Sequence, residues 1–205
     1  MLNLGVFLFI ISYLLGSIPF ALIIGKSFYG VDLREYGSRN LGATNAARVL
    51  GIKAGIGVAF GDIGKGIVAA SLPYWFQLDV SPLLVGCFPI FAGFRGGKAA
   101  ATTAGVFLFA KPLICLTGFL TFAATILIFR YVALGTIFAG FTMFIHAVMS
   151  SDLSAIIITS LLVPLLIYVH RSNIKNLMDG TEPKYYDEAI KNDRIQPQQK
   201  NAPGV

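Results

Sequence analysis

Residues 99–130 read AAATTAGVFLFAKPLICLTGFLTFAATILIFR. Whether this run crosses a bilayer once or twice decides the topology of the chain. A hydrocarbon core of about 30 Å takes roughly 20 helical residues. The run is long for one span, and Lys111-Pro112 lies inside it. Proline has no N–H to donate and turns the residue before it away from helix. The reading therefore predicts a turn at Ala110-Lys111-Pro112 between two short helices. The positive-inside rule favours the same choice. No Lys or Arg precedes Lys26, so the N-terminus is expected outside and Lys26, Arg34, Arg39, Arg48 and Lys53 inside. The apolar run 54–76 then leads out, the stretch 77–81 carries only Asp79, and the run 78–94 returns Arg95 and Lys98 inside. A turn at Lys111 brings Arg130 and the polar stretch with His170, Arg171 and Lys175 inside as well. A single span would leave them outside. The expected fold is all-α: a polytopic integral membrane protein of about seven transmembrane helices, N-terminus outside and C-terminus cytoplasmic. Lys111 is the one lysine this choice leaves outside.

Composition agrees. The chain is 56% hydrophobic and only 13% charged, against about 25% charged in soluble domains. The apolar runs are continuous rather than alternating, which argues against strands. The run 4–24 has no basic region ahead of it and no small-residue cleavage site after it, so it reads as the first span rather than a signal peptide. Runs 131–149 and 153–169 supply the last two. Residues 1–180 are expected to form one transmembrane domain, and 181–205 a polar, largely disordered tail. Cys87 and Cys115 sit in apolar runs, form no metal or disulfide spacing, and read as small hydrophobes. The net charge of +6 lies between apolar runs. It therefore points to anionic headgroups or phosphorylated substrates, not nucleic acid.

The topology gathers four basic segments on one face: 34–48, 95–103, 130–136 and 170–175. The first contains Gly37-Ser38-Arg39-Asn40-Leu41-Gly42-Ala43-Thr44-Asn45-Ala46-Ala47-Arg48. Its small residues let backbone N–H groups approach an anion, its Ser, Thr and Asn side chains add neutral hydrogen bonds, and Arg48 adds a planar cation. The second is Arg95-Gly96-Gly97-Lys98, followed by Thr102 and Thr103; it has the logic of a phosphate loop without the Walker spacing. In the fourth, His170 and Asn173 share a helix face. Within the spans, Asp62 and Lys65 stand at i, i+3 and read as a structural ion pair. His146 reads as a hydrogen-bonded helix contact. No Ser or Cys triad is visible.

Taken in order, these segments resemble a known family. Gly37-Ser38-x-Asn40-x-Gly42-Ala43-Thr44-Asn45-x-x-Arg48, Asp62-x-x-Lys65-Gly66, Gly96-Gly97-Lys98-x-x-Ala101-Thr102, Arg130-Tyr131-Val132-x-Leu134 and His170-Arg171-x-Asn173-Ile174 are similar to motifs of the bacterial acyl-phosphate:glycerol-3-phosphate acyltransferase family. The opening stretch from Tyr13 to Phe20 fits too. The resemblance runs from about residue 10 to about residue 183. It implies a membrane-bound acyltransferase of the bacterial cytoplasmic (inner) membrane, with its site facing the cytoplasm. A fatty acyl phosphate would acylate the 1-hydroxyl of sn-glycerol 3-phosphate, giving 1-acylglycerol 3-phosphate and phosphate for phospholipid synthesis. No cofactor and no metal are implied. The implied partners are acyl phosphate, glycerol 3-phosphate, membrane lipid and the soluble enzyme that makes acyl phosphate.

Carried over by position, the resemblance implies Ser38, Arg48, Lys98 and His170 as catalytic. Asn40, Gly42, Ala43, Thr44, Asn45, Gly96, Gly97, Thr136 and Asn173 would bind substrate. The chain departs from the family pattern at four places. Ala99 stands where Gly is usual, Ala133 and Thr136 stand where Ser is usual, and Gly86 is followed by Cys87 rather than His. The run 78–94 is also shorter than usual. Two alternatives remain at this stage: a catalytically weakened relative that binds acyl phosphate or lipid, and a small anion transporter.

Overall fold

The computed structural model of the chain describes residues 2–76 and 97–185. All regular structure among them is helical. In order come α1 (Leu2–Gly16), α2 (Phe20–Tyr29), α3 (Ala43–Leu50), α4 (Ile52–Trp75), α5 (Ala100–Ala110), α6 (Pro112–Phe129), α7 (Val132–Met149), α8 (Leu153–Val169) and α9 (Arg171–Met178). The expected third span, 78–94, lies outside the described residues, as do Arg95, Gly96 and the tail from 186.

The expected turn in the middle of the chain is present. α5 stops at Ala110 and Pro112 opens α6, where its missing N–H costs nothing. Lys111 pairs with Asp152 in the α7–α8 turn, and Asp152 Oδ1 caps α8 by accepting from Ala155 N at 3.0 Å. The two turns are thus locked together at one end of the bundle. The Lys111 ammonium, then the Ser154 hydroxyl and the capping Ala155 N–H, hold the Asp152 carboxyl well below the usual range.

The first span differs from expectation. The run 4–24 is not one helix: α1 ends at Gly16, α2 begins at Phe20, and the axes bend by 40°. Pro19 is the cause, since it disfavours helix at Ile18 and offers no N–H. The break frees the Ile18 carbonyl, and in lipid an unmet carbonyl is costly. Lys65 Nζ meets it at 2.8 Å while pairing with Asp62 at 2.7 Å. The ion pair read from sequence therefore also closes a broken helix. His146 behaves as read too. Thr117 donates to Ile114 O, so its oxygen accepts from His146 Nδ1 at 3.1 Å, tying α6 to α7.

Three helices are long and apolar enough to cross a membrane singly: α6, α7 and the Ile52–Leu72 portion of α4. The bent pairs α1–α2 and α8–α9 add two if each is one span. α5, with 11 residues, covers only about 16 Å. Small residues set how closely the helices pack. A Cβ on Gly66 would stand 2.2 Å from Thr102 O, and one on Gly105 would stand 2.1 Å from Ile63 O. α4 and α5 therefore touch backbone to backbone, the packing mode that replaces the hydrophobic effect inside lipid. One buried cluster (Ala21, Leu33, Leu41, Ala46, Val49, Val58) seats loop 30–42 and α3 against α2 and α4. A second (Phe107, Ile114, Met143, Ala147, Ala155, Leu162, Leu166) joins α5 to α8.

Candidate active site

The segment from Leu33 to Arg48 folds around one amide. Asn45 is buried. Its Oδ1 accepts from Ser38 N at 2.9 Å, and its Nδ2 reaches the carbonyls of Asn40 (3.0 Å), Tyr36 (3.2 Å) and Leu33 (3.3 Å). Asn45, expected among the substrate ligands, commits its amide to shaping the loop. Gly37, at φ +56, lies so close that a Cβ there would meet Asn45 Oδ1 at 2.4 Å, so only glycine fits. Below the loop, Asp32 takes Arg34 Nε at 2.9 Å, Arg34 N at 3.1 Å and Lys26 Nζ at 3.2 Å. These contacts pin the entry of the loop to α2.

The loop delivers α3 with its N-terminus bare. Gly42 is the N-cap and no side chain caps the helix, so its first N–H groups are open donors at the positive end of the helix dipole. Ala43 is half-buried; Thr44 and Ser38 are exposed. Arg48 sits in the last turn, with Nε buried and, among the described residues, without a hydrogen bond. A buried donor left unmet costs about 1–3 kcal/mol, and an anion is the partner that removes the cost.

Gly97 brings the second segment against the first. A Cβ there would lie 2.8 Å from Leu41 O and 3.5 Å from Gly42 N. The bare start of α3 and the approach to α5 are therefore in contact. α5 is also without a side-chain cap. From Gly97 the chain passes through Lys98 to Ala99, which adopts φ +55, ψ +4. That left-handed conformation suits glycine and costs other residues about 1 kcal/mol. It gives a physical reason for the glycine that the resemblance leads one to expect at this place. Ala99→Gly is expected to keep or raise activity and to stabilise the protein by about 1 kcal/mol, seen as a higher Tm in detergent. A large loss of activity would mean that the resemblance is misaligned at Ala99.

Lys98 reaches the fourth segment. Its Nζ donates to Asn173 Oδ1. Asn173 Nδ2 donates in turn to Glu182 Oε1 at 2.6 Å, and Asn176 Nδ2 reaches Glu182 Oε2 at 3.3 Å. Burial pulls the Lys98 ammonium down to about 8, against the pull of the Glu182 charge. His170 is buried beside this cluster. Burial first, then the Lys98 charge, push it down to about 4, against its hydrogen bond to Leu166 O. A carbonyl can only accept, so the 2.9 Å contact to Leu166 O puts the proton on Nδ1. Nε2 of a neutral imidazole is then a bare acceptor.

The third segment joins through the start of the expected tail. Tyr185 N donates to Arg130 O at 2.7 Å, and the Lys184 ammonium lies 6.0 Å over the Tyr131 ring. Thr181 N and Glu182 N both bond Asn176 O, at 2.7 and 3.1 Å. Residues 181–185 are therefore bonded to the helical domain. Glu182 and Asn176 are members of the cluster that the sequence reading did not single out. A signal was available in Gly180, at φ +69, which turns the chain back over α9. Among the expected site residues, Thr136 donates its hydroxyl to Val132 O at 3.0 Å within its own helix. Among the described residues, no hydrogen bond joins Thr136 or Arg48 to the Lys98 cluster. Gly96 lies outside the described residues.

All four basic segments thus sit at one end of the bundle, linked in series by Gly97–Leu41, Lys98–Asn173 and Tyr185–Arg130. The site holds cations, amides, an imidazole acceptor and open backbone donors. Cys115, the one cysteine among the described residues, bonds Ala104 O inside the bundle.

A family model described as glycerol-3-phosphate acyltransferase matches residues 6–180. Glycerol-3-phosphate acyltransferase 2 of Bacillus anthracis is 49% identical over 182 residues, covering 85% of this chain and 96% of that one. The glycerol-3-phosphate acyltransferase of Bacillus subtilis is 46% identical over 184 residues, covering 86% and 95%. The crystal structure of PlsY, an integral membrane glycerol 3-phosphate acyltransferase, in its glycerol 3-phosphate form superposes with a TM-score of 0.83. That match is at 36% identity and covers 91% of this chain and 98% of that one. The lysophosphatidic acid form gives 0.79 at 35% identity, over 88% and 94%.

Proposed function

This chain belongs to the glycerol-3-phosphate acyltransferase family, and we propose that it moves a fatty acyl group from acyl phosphate to the 1-hydroxyl of sn-glycerol 3-phosphate. The products are 1-acylglycerol 3-phosphate and inorganic phosphate. The observation that carries this reading is the make-up of the site. Lys98, Arg48 and two uncapped helix N-termini offer places for two phosphates. Among the described residues, no Ser or Cys there is hydrogen-bonded to His170 or another base. An acyl phosphate is a mixed anhydride and needs no activated nucleophile. The hydroxyl oxygen bonds to the carbonyl carbon, the bond from that carbon to the phosphate oxygen breaks, and the departing phosphate takes the hydroxyl proton. The protein's part is to bring two anions together, hold the hydroxyl in line and exclude water.

In this reading the open N–H groups of α3, with Arg48, hold one phosphate, and Lys98 faces the other. His170 orients glycerol 3-phosphate, its Nε2 accepting from the 2-hydroxyl so that the attacking 1-hydroxyl keeps its proton for the departing phosphate, and Asn173 keeps Lys98 in place. The chain crosses the bacterial inner membrane seven times, with the N-terminus outside and the site on the cytoplasmic face. The soluble enzyme that makes acyl phosphate is its supplier. A transporter reading is disfavoured by the polar groups within the spans, which are engaged with one another: Asp62 with Lys65, Lys65 with Ile18 O, and His146 with Thr117.

Purified protein in lipid nanodiscs, supplied with acyl phosphate and glycerol 3-phosphate, should release phosphate and form lysophosphatidate in equal amounts. Binding of both substrates without release would instead identify a non-catalytic relative. The pH profile is a second check. Lys98 is charged below about 8, so kcat/KM for glycerol 3-phosphate should fall as pH rises through that value, by about tenfold per unit. His170, held to about 4, stays neutral and should add no acidic limb between about pH 5 and 7. A profile flat to about pH 10 would remove Lys98 from the phosphate site.

A further inference from the structure

The helix that carries Asn173 has a second face that the reaction does not use. α9 leaves α8 at a bend of 57°, and none of its residues is buried. Successive residues turn by about 100°, so Asn173 and Asn176 look one way and Arg171 and Lys175 the other, with Met178 beside the two cations. Met178 is 83% exposed. Asn173 and Asn176 hold Lys98 and Glu182. Among the described residues, neither Arg171 nor Lys175 pairs with a carboxylate.

Two like charges one turn apart repel each other. Arg171 also stands in the first turn of α9, where the helix dipole disfavours a cation. One contact fixes it there: Nη1 donates to Tyr168 O at 2.9 Å while the guanidinium stacks 4.4 Å over the Tyr168 ring. Tyr168, at the end of α8, is itself largely exposed, as expected of a tyrosine in a membrane interface. Arg171, Lys175 and Met178 are all exposed. The set is a cationic ridge with an apolar edge at the end of a membrane helix.

We propose that this ridge, Tyr168, Arg171, Lys175 and Met178, seats the phosphate headgroups of anionic phospholipids in the leaflet on the site side. The bound headgroups hold α9 in the position from which Asn173 positions Lys98. The lipid is then a structural ligand of the enzyme as well as its surroundings. Its effect on turnover rests on the function proposed above; its binding to α9 does not.

Two measurements in nanodiscs separate these parts. The first is the Tm without substrates, in phosphatidylcholine alone and with increasing phosphatidylglycerol. The chain as it stands should melt several degrees higher with phosphatidylglycerol, and a variant with both Arg171→Gln and Lys175→Gln should lose most of that increment. The second is phosphate release at a subsaturating glycerol 3-phosphate concentration. It should rise severalfold with phosphatidylglycerol, through a lower KM, and the double variant should remain at the phosphatidylcholine level in every mixture. Replacing Lys53, exposed at the start of α4, with Gln should leave both responses intact. Equal Tm increments in the chain and the double variant would overturn the ridge as the lipid site. A Tm response without a kinetic one, in a protein that does turn over, would overturn the coupling to Asn173. No turnover in any lipid, with the Tm response present, would count against the acyltransfer reading and leave the ridge standing.

Discussion

Lys98→Ala is expected to lower turnover by a hundredfold or more while leaving the protein folded. A preorganised donor facing developing charge contributes about a hundredfold to a thousandfold in rate. Lys98 is the cation at the junction of the second and fourth segments. Burial already disfavours its charge, so its removal relieves desolvation as it breaks the bond to Asn173, and Tm should change little. Arg48→Ala should be equally severe, because that guanidinium has a buried Nε with no hydrogen bond among the described residues. Arg48→Lys should not restore the rate, since an ammonium lacks the planar fork. The measurement is phosphate release from both substrates, with Tm recorded on the same samples. Near-normal rates for both alanine variants would dissolve the assigned site.

Gly66→Leu is expected to damage the fold itself, at a cost of about 3 kcal/mol. A Cβ at 2.2 Å from Thr102 O meets backbone rather than a movable side chain, so α4 and α5 must separate. Lys98 lies two residues before α5, so activity should fall with stability. Gly64, on the same helix, is the control: among the described residues nothing lies within 4 Å of a Cβ there. Gly64→Leu should change stability by less than about 0.5 kcal/mol. If the two variants melted alike, the backbone contact between α4 and α5 would be refuted.

Much of the site was legible because its chemistry is local in sequence. Gly-Gly-Lys, the Asn-rich loop and the His-x-x-Asn pair each present their groups within a few residues. Membrane parity, decided at Lys111-Pro112, was enough to put them at one end of the bundle. The Asp62–Lys65 pair was legible for the same reason, being one helical turn apart. Roles were harder to read. The residue types around Asn45 suited an anion, and only the folded loop shows its amide turned inward to four backbone groups. Glu182 was hidden by composition. It opens a polar, charge-rich stretch that looks like a solvated tail, yet its carboxylate bonds both Asn173 and Asn176. The break at Pro19 was visible as a residue but outweighed by the length of the apolar run.

The sequence by itself determined that the chain is helical and membrane-spanning, because lipid leaves backbone groups no partner but their own helix. It also singled out the four basic segments that the structure links at one end of the bundle. The tertiary structure decided which atoms in those segments remain available. Gly97 against Leu41 and Lys98 on Asn173 are contacts between residues far apart in the chain. Whether a donor is open or already satisfied depends on the neighbour that packing supplies, and no local pattern encodes that neighbour.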